Sequence, residues 1–302
     1  MTIDGIVDRA TLFARALGFV FLVYFGPVLI RDVLALVVGG GGISALFGGS
    51  DSDLRITAIL TAGTVALSLF FTILYGRLGR GANQPRALVR RDASWWREWT
   101  AGVAFAGVSS GALFGLLVAT GEIRVSGFSE HVRVTGFLYA IAILLLEAFR
   151  EELGFRGAPQ RDLSGATAFP FAAVFLAGSF ALIHRSNPAF TPTGLLGVFL
   201  AGLFLAGVAH RRGDVALASG WHGGWNVFVG LIWSTPLSGY RLENSLLATE
   251  PARDSSAAGG SFGFEGSWPG IALFVLLGML SWRARSVSRA AAPGAPTTGD
   301  DA

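Results

Sequence analysis

Residues 147 to 157, Glu-Ala-Phe-Arg-Glu-Glu-Leu-Gly-Phe-Arg-Gly, place five ionisable side chains directly after the apolar run Val134 to Leu146. A charged group at mid-bilayer costs about 2.5 to 3.5 kcal/mol on insertion scales, so such a segment must face protein, a partner or a water-filled cavity. Read as helix, Glu152 precedes Arg156 by four residues, the favourable order for an ion pair, while Glu151 has no basic residue four ahead. Glu152 is thus expected to be held and Glu151 to be available. Two further polar pairs interrupt apolar runs, Phe180 with His184 and His222 with Asn226, each on one helix face by its spacing of four. Carboxylate and imidazole are groups that move protons, whether as a base acting on water or as a relay.

The elements that must position these groups are membrane helices. The chain has 302 residues, 52% of them hydrophobic and only 14% charged, with a mean hydropathy of +0.57; soluble domains carry about 25% charge. The fold class is therefore all-α, a polytopic membrane helix bundle of about eight transmembrane helices. Cysteine is absent, which excludes disulfides, thiolate metal sites and cysteine nucleophiles. Every basic residue is arginine, spread over several loops, which favours membrane topology and argues against a nucleic-acid partner.

In order, the N-terminal apolar run to about Val38 reads as an uncleaved first span. Arg31 and Asp32, adjacent and unable to pair across one helix face, put its end near Ile30. Spans follow at about Ile56 to Tyr75, Thr100 to Thr120, and Val134 into the glutamate segment. Pro159 to Ala166 reads as a turn; further spans lie at about Thr167 to Ile183, Gly194 to Ala209, Val215 to Trp233 and Trp268 to Trp282. The span Ile56 to Tyr75 is near the roughly 20 residues that cross a bilayer. The loop Gly76 to Trp99 is the most basic, with Trp95 and Trp96 as interfacial anchors. His131 and His210 read as solvated loop residues. The organisation is 1–133 N-terminal transmembrane helices, 134–233 a catalytic-type helix core, 234–282 an outer loop and last helix, and 283–302 a disordered tail. Arginines concentrate in the segments that lie inside if the N-terminus is inside, which predicts a multi-pass plasma (inner) membrane protein, N-in and C-in, with the glutamate segment toward the cytoplasm.

Taken singly, each motif has a plain structural reading: a water-facing helix end for Glu151, Glu152 and Arg156, an interfacial histidine for His184, an interhelical clamp for His222 and Asn226. Together, E-E-x-x-x-R, F-x-x-x-H and H-x-x-x-N stand in order on three separate spans. In this the sequence resembles the CPBP family of intramembrane proteases, which includes the type II CAAX prenyl endopeptidase and the Abi or bacteriocin-immunity proteins. The stretch from Arg185 to Asn226 is similar as well, with Ser186-Asn187-Pro188 after the histidine and Arg212-Gly213-Asp214 before the last motif. The resemblance covers roughly Ile143 to Val229.

The resemblance implies an endopeptidase acting on a membrane-associated peptide or protein. Glu151 with His184 would activate water; His222 and Asn226 would orient the peptide or stabilise the oxyanion; Glu152, Arg156 and Phe180 would support them. Glu151, His184 and His222 would also suit a divalent metal such as zinc, yet no H-E-x-x-H occurs, so a metal-free mechanism stays open. One conflict is geometric: Glu151 falls near the inner end of its span and His184 near the outer end of the next, unless the fourth span continues to about Arg161. Rhomboid-like Gly-x-Ser-Gly and presenilin-like Gly-x-Gly-Asp motifs are absent. A proton-coupled transporter or a non-catalytic scaffold or immunity protein is the alternative reading.

Overall fold

A computed structural model describes residues 3–21, 25–37, 46, 49–78, 93–130, 132–252 and 257–283. It is a membrane helix bundle. Among the described residues, four helices are long and apolar enough to span a bilayer, Asp51–Leu74, Ala93–Ala119, Phe169–Ser186 and Pro192–Arg212, and Trp268–Arg283 is a shorter apolar helix. Their outer faces carry bare hydrophobic side chains such as Phe70, Val108, Leu116, Phe171, Val174 and Leu280. That surface is costly in water and suited to lipid.

Among the described residues the N-terminal run holds α1 (Ile3–Val20) and α2 (Gly26–Val37). α2 passes straight through Arg31, which pairs with its neighbour Asp32 at 2.8 Å and also reaches Glu147. The sequence expectation failed because a forked guanidinium serves two carboxylates at once, and an arginine so paired need not end an apolar helix.

α3 (Asp51–Leu78) and α4 (Ala93–Ala119) are each longer than a bilayer crossing requires. α4 starts upstream of the expected Thr100, so Trp95 lies within it, 4% exposed and edge-on to Phe149 at 6.0 Å. It is a core residue; only Trp96 is exposed. The rest of the basic loop, His131 and the tail beyond Arg283 lie outside the described residues.

α5 (Val134–Glu152) runs on through a π-helical turn, Leu153–Gly157, and the direction changes at Gly157, where ψ is −122°. The expected turn at Pro159 to Ala166 is instead a short helix, α6 (Ala158–Ala166), with proline in its first turn. Proline lacks the amide hydrogen that a first turn leaves unbonded in any case, so it starts this helix and does not break it.

α7 (Phe169–Ile183), α8 (Pro192–Arg212) and α9 (Ala216–Val227) complete the core. Thr191 caps α8 by accepting from the Gly194 amide, and Gly213 ends it in the left-handed conformation at φ 73°. His210 is therefore helical; its exposed ring stacks on Phe169 at 3.8 Å. α4 and α9 meet backbone to backbone: a Cβ on Gly220 would lie 2.1 Å from the Trp99 carbonyl oxygen, and one on Gly102 2.5 Å from that of Leu217. Small residues at these positions bring the helices together, as membrane helices require in the absence of a hydrophobic drive between them.

The long connection before α10 (Trp268–Arg283) is more than a polar loop. Its strand β2 (Leu247–Pro251) pairs antiparallel with β1 (Ile123–Phe128) in a two-stranded sheet that joins two connections on one face of the bundle.

Candidate active site

The π-helical turn after α5 puts Glu152 and Arg156 in contact deep in the bundle. The Arg156 Nη1 atom donates to Glu152 Oε1 at 3.0 Å, both side chains fully buried, and Nη2 reaches the Gly202 carbonyl oxygen at 3.4 Å. π-Turns inside helices frequently mark functional sites. Here the turn follows directly on the glutamates.

The same Glu152 Oε1 lies 2.9 Å from His222 Nδ1 on α9. Because Arg156 Nη1 already donates to this oxygen, it serves as an acceptor, and in the neutral imidazole that sets the hydrogen on Nδ1 and leaves the lone pair on Nε2. That Nε2 lies 3.7 Å from Glu151 Oε2. This is too long for a direct hydrogen bond, and a water donating one hydrogen to each atom would bridge it.

His184, the residue after α7, is set the same way. Its Nδ1 lies 2.7 Å from the Phe180 carbonyl oxygen, which can only accept. The proton again sits on Nδ1 and Nε2 is left free. In both histidines a second group fixes the tautomer, the device by which proteins aim imidazoles at a metal or a reacting group.

Glu151, in contrast to Glu152, accepts no hydrogen bond among the described residues; its nearest cation, Arg150 Nη2, is 3.9 Å away, and the side chain is 17% exposed. Asn226 likewise has no partner for its amide among them. Glu151, His184, His222 and Asn226 all line one cavity of about 210 Å³, together with Glu147, Asn187, Leu237, Ser238 and Tyr240. The sequence thus scattered these four residues over three elements, and the fold brings them to one place. The depth conflict disappears because α5 starts far out, beside the β-sheet connection, and the cavity takes in its C-terminal third with the C-terminal end of α7.

Two features of the site were not assigned a place in it by the sequence reading. Glu147, on the cavity wall, is clasped by Arg31 and by Arg150, whose Nη2 lies 2.6 Å from Oε2. The other is a wall supplied by the connection before α10. Leu237 to Tyr240 form a tight turn with Ser238 at φ 47° and Gly239 at φ 91°, closed by a Leu237 to Tyr240 bridge. The turn is held by Asn187 Nδ2, which donates to the Ser238 carbonyl at 3.0 Å, and by the carboxylate of Glu265, which accepts from the Ser238 amide at 3.4 Å. Glu265, only 4% exposed, also accepts from Trp225 Nε1 at 3.0 Å, beside Asn226. A lone acid among aromatics in Gly260-Ser-Phe-Gly-Phe-Glu-Gly-Ser267 is the one hint that the sequence offered.

Residues 133–228, which hold α5 to α9 and all three motifs, match the family described as Type II CAAX prenyl endopeptidase Rce1-like. The match covers about a third of the chain and supports a CAAX protease family assignment for this core. No curated protein and no solved structure matches the chain. The similarity supports a CAAX-type intramembrane protease in general terms. The match stops short of Glu265 and of the cavity wall at 237–240.

Proposed function

We propose that the protein is an endopeptidase that hydrolyses a peptide bond of a membrane-associated protein or peptide with water activated by Glu151. The observation that carries this reading is the contrast between the two adjacent glutamates: Glu152 is spent on Arg156 and His222, and Glu151 is left unbonded on the wall of the same cavity.

Peptide hydrolysis needs a base for the water, a donor for the oxyanion and an acid for the leaving amine. Glu151 takes a proton from water as the oxygen attacks the carbonyl carbon, and returns that proton to the amine nitrogen as the C–N bond breaks. The Nε2 atom of His222, free of hydrogen in the neutral tautomer, accepts the second hydrogen of the water and fixes its direction, and the Nε2 atom of His184 is a further acceptor on the same cavity. Asn226 then supplies the oxyanion donor, because its amide is the neutral donor in the cavity with no protein partner among the described residues. Glu152 and Arg156 fix His222 without touching the reacting atoms.

The two Nε2 atoms and Glu151 are of the right chemical type for zinc. No three His, Asp or Glu side chains among the described residues are gathered closely enough to hold a metal ion. The residues as they stand do not form a metal site, and no step is routed through one.

A direct test compares new protein N-termini in cells producing the parent protein with those in cells producing Glu151→Gln at equal abundance. Cleavage products present with the parent and missing with the variant are expected. Identical sets of N-termini would overturn the protease reading in favour of a scaffold or transporter.

A further inference from the structure

The two ends of the bundle can be told apart by their side-chain and strand contacts, and the catalytic cavity belongs to one of them. At that end β1 pairs with β2, joining the connection 120–133 to the connection 233–267. Arg133 reaches back to Asp51 at 2.8 Å and to the Gly49 carbonyl at 2.7 Å, which adds the start of α3. Asn187 bonds Ser238 and so adds the connection after α7. Leu46, Asn187 and Tyr240, from three of these connections, line the cavity with Glu151 and the histidines.

The opposite end is assembled as clearly. Arg212 at the end of α8 lies 3.8 Å from Glu98 at the start of α4. Phe169 at the start of α7 packs on His210 and on Trp282 near the end of α10. A separate cavity there, of about 150 Å³, is lined by Gln160, Arg161, His210 and Asp214.

The arginines divide unevenly between these ends. The end of α3 with Arg77, the start of α4 with Arg97, and Arg161, Arg211, Arg212 and Arg283 belong to the end opposite the catalytic cavity, and the sequence between α3 and α4 adds Arg80, Arg86, Arg90 and Arg91. The segments of the catalytic end carry Arg55, Arg124, Arg133, Arg185 and Arg241 and, by sequence, Arg253, dispersed over four segments. Arginine-rich connections stay in the cytoplasm.

We infer that the catalytic cavity opens on the extracytoplasmic face of the membrane, so that the bond cut belongs to an exported polypeptide or to an outward-facing segment of a membrane-anchored one. The naming of a substrate rests on the protease reading above; the side of access does not. It also revises the expectation that the glutamate segment faces the cytoplasm. α5 enters from the outer end, and its glutamates serve a cavity framed by outer connections.

The absence of native cysteine gives a clean test. Single-cysteine variants Ser186→Cys and Tyr240→Cys report the catalytic end, and Thr167→Cys the opposite end. Each is treated with a membrane-impermeant maleimide in intact cells and again after permeabilisation, which sets full labelling. Ser186 is exposed and bonds only the nearby Ile183 carbonyl, so it stays readable should Tyr240→Cys fail to accumulate. The expected result is full labelling of Ser186→Cys and Tyr240→Cys in intact cells, with Thr167→Cys labelled only after permeabilisation. The reverse pattern, or labelling of all three from one side, would overturn the inference. Labelling needs no catalysis: a protein labelled from outside whose Glu151→Gln variant changes no cellular N-terminus would sink the protease reading and leave the side of access standing.

Discussion

The guanidinium of Arg156 lies 4.3 Å from the centroid of the Phe180 ring. That ring also stands edge-on to His222 at 5.8 Å and 4.7 Å from His184. The phenylalanine of F-x-x-x-H is thus the floor on which three charged or polar groups are set, and the arginine of E-E-x-x-x-R is held between an aromatic face and a carboxylate. Motif residues far apart in the chain are one contact cluster.

Arg156→Ala is expected to lower both stability and activity. It leaves Glu152 buried without its cation, a change that costs about 3 to 5 kcal/mol in buried pairs. Thermal unfolding in detergent measures the loss. A variant as stable as the parent but inactive would place Arg156 in the chemistry itself.

Glu151→Gln should behave oppositely, losing about 10² to 10⁴ in kcat, the usual contribution of a general base, with an unchanged unfolding temperature. Its carboxylate holds no other side chain by a hydrogen bond among the described residues, so nothing structural is lost. Unfolding scans of the purified variant beside its turnover would expose any hidden structural role.

Asn226→Ala removes the proposed oxyanion donor and should lower kcat by about 10² to 10³. KM should change little, because the ground-state carbonyl gains less from that donor than the tetrahedral oxyanion does. A rise in KM with kcat unchanged would assign Asn226 to substrate binding.

Chelators should leave the rate unchanged. The prediction follows from the spacing of Glu151, His184 and His222, which do not close into a three-ligand set. Loss of turnover in 1,10-phenanthroline, restored by zinc, would make those three residues ligands.

Glu265 gives a dependence on pH. Burial pushes its carboxyl above the ordinary value, against the bonds from Trp225 and Ser238. The folded state therefore binds this proton more tightly than the unfolded state, and stability falls as pH rises from about 4.3, the unfolded glutamate value, to the raised folded value, beyond which the loss is complete. Glu265→Gln keeps an acceptor for Trp225 and removes the charge. Its unfolding temperature should gain on the parent across that window; parallel curves would mean that the Glu265 carboxyl binds its proton equally tightly in the folded and unfolded protein.

Much of this site was legible in the sequence because its residues violate their surroundings. Acids and histidines in apolar runs have few explanations, and the four-residue spacing of Glu152 and Arg156 fixed their pairing. Element boundaries were less legible. Arg31 looked like a helix end because its partners, Asp32 and Glu147, could not be seen to share one guanidinium. Trp95 looked like an interfacial anchor because its neighbour Phe149 comes from another helix. The wall at Leu237 to Tyr240 rests on bonds from Asn187 and Glu265, contacts between connections that no periodicity encodes.

The close approach of Gly102 and Gly220 has a last consequence. With the α4 and α9 backbones in contact, the helix bearing His222 and Asn226 has no room to slide or roll toward its neighbour. Two of the groups proposed to meet the scissile bond are thus mounted on a fixed rail, and little reorganisation is left to them. Adapting to different polypeptides then falls to the turn at Ser238 and Gly239 and to the substrate itself, which must present an extended stretch of backbone to a mould that does not yield.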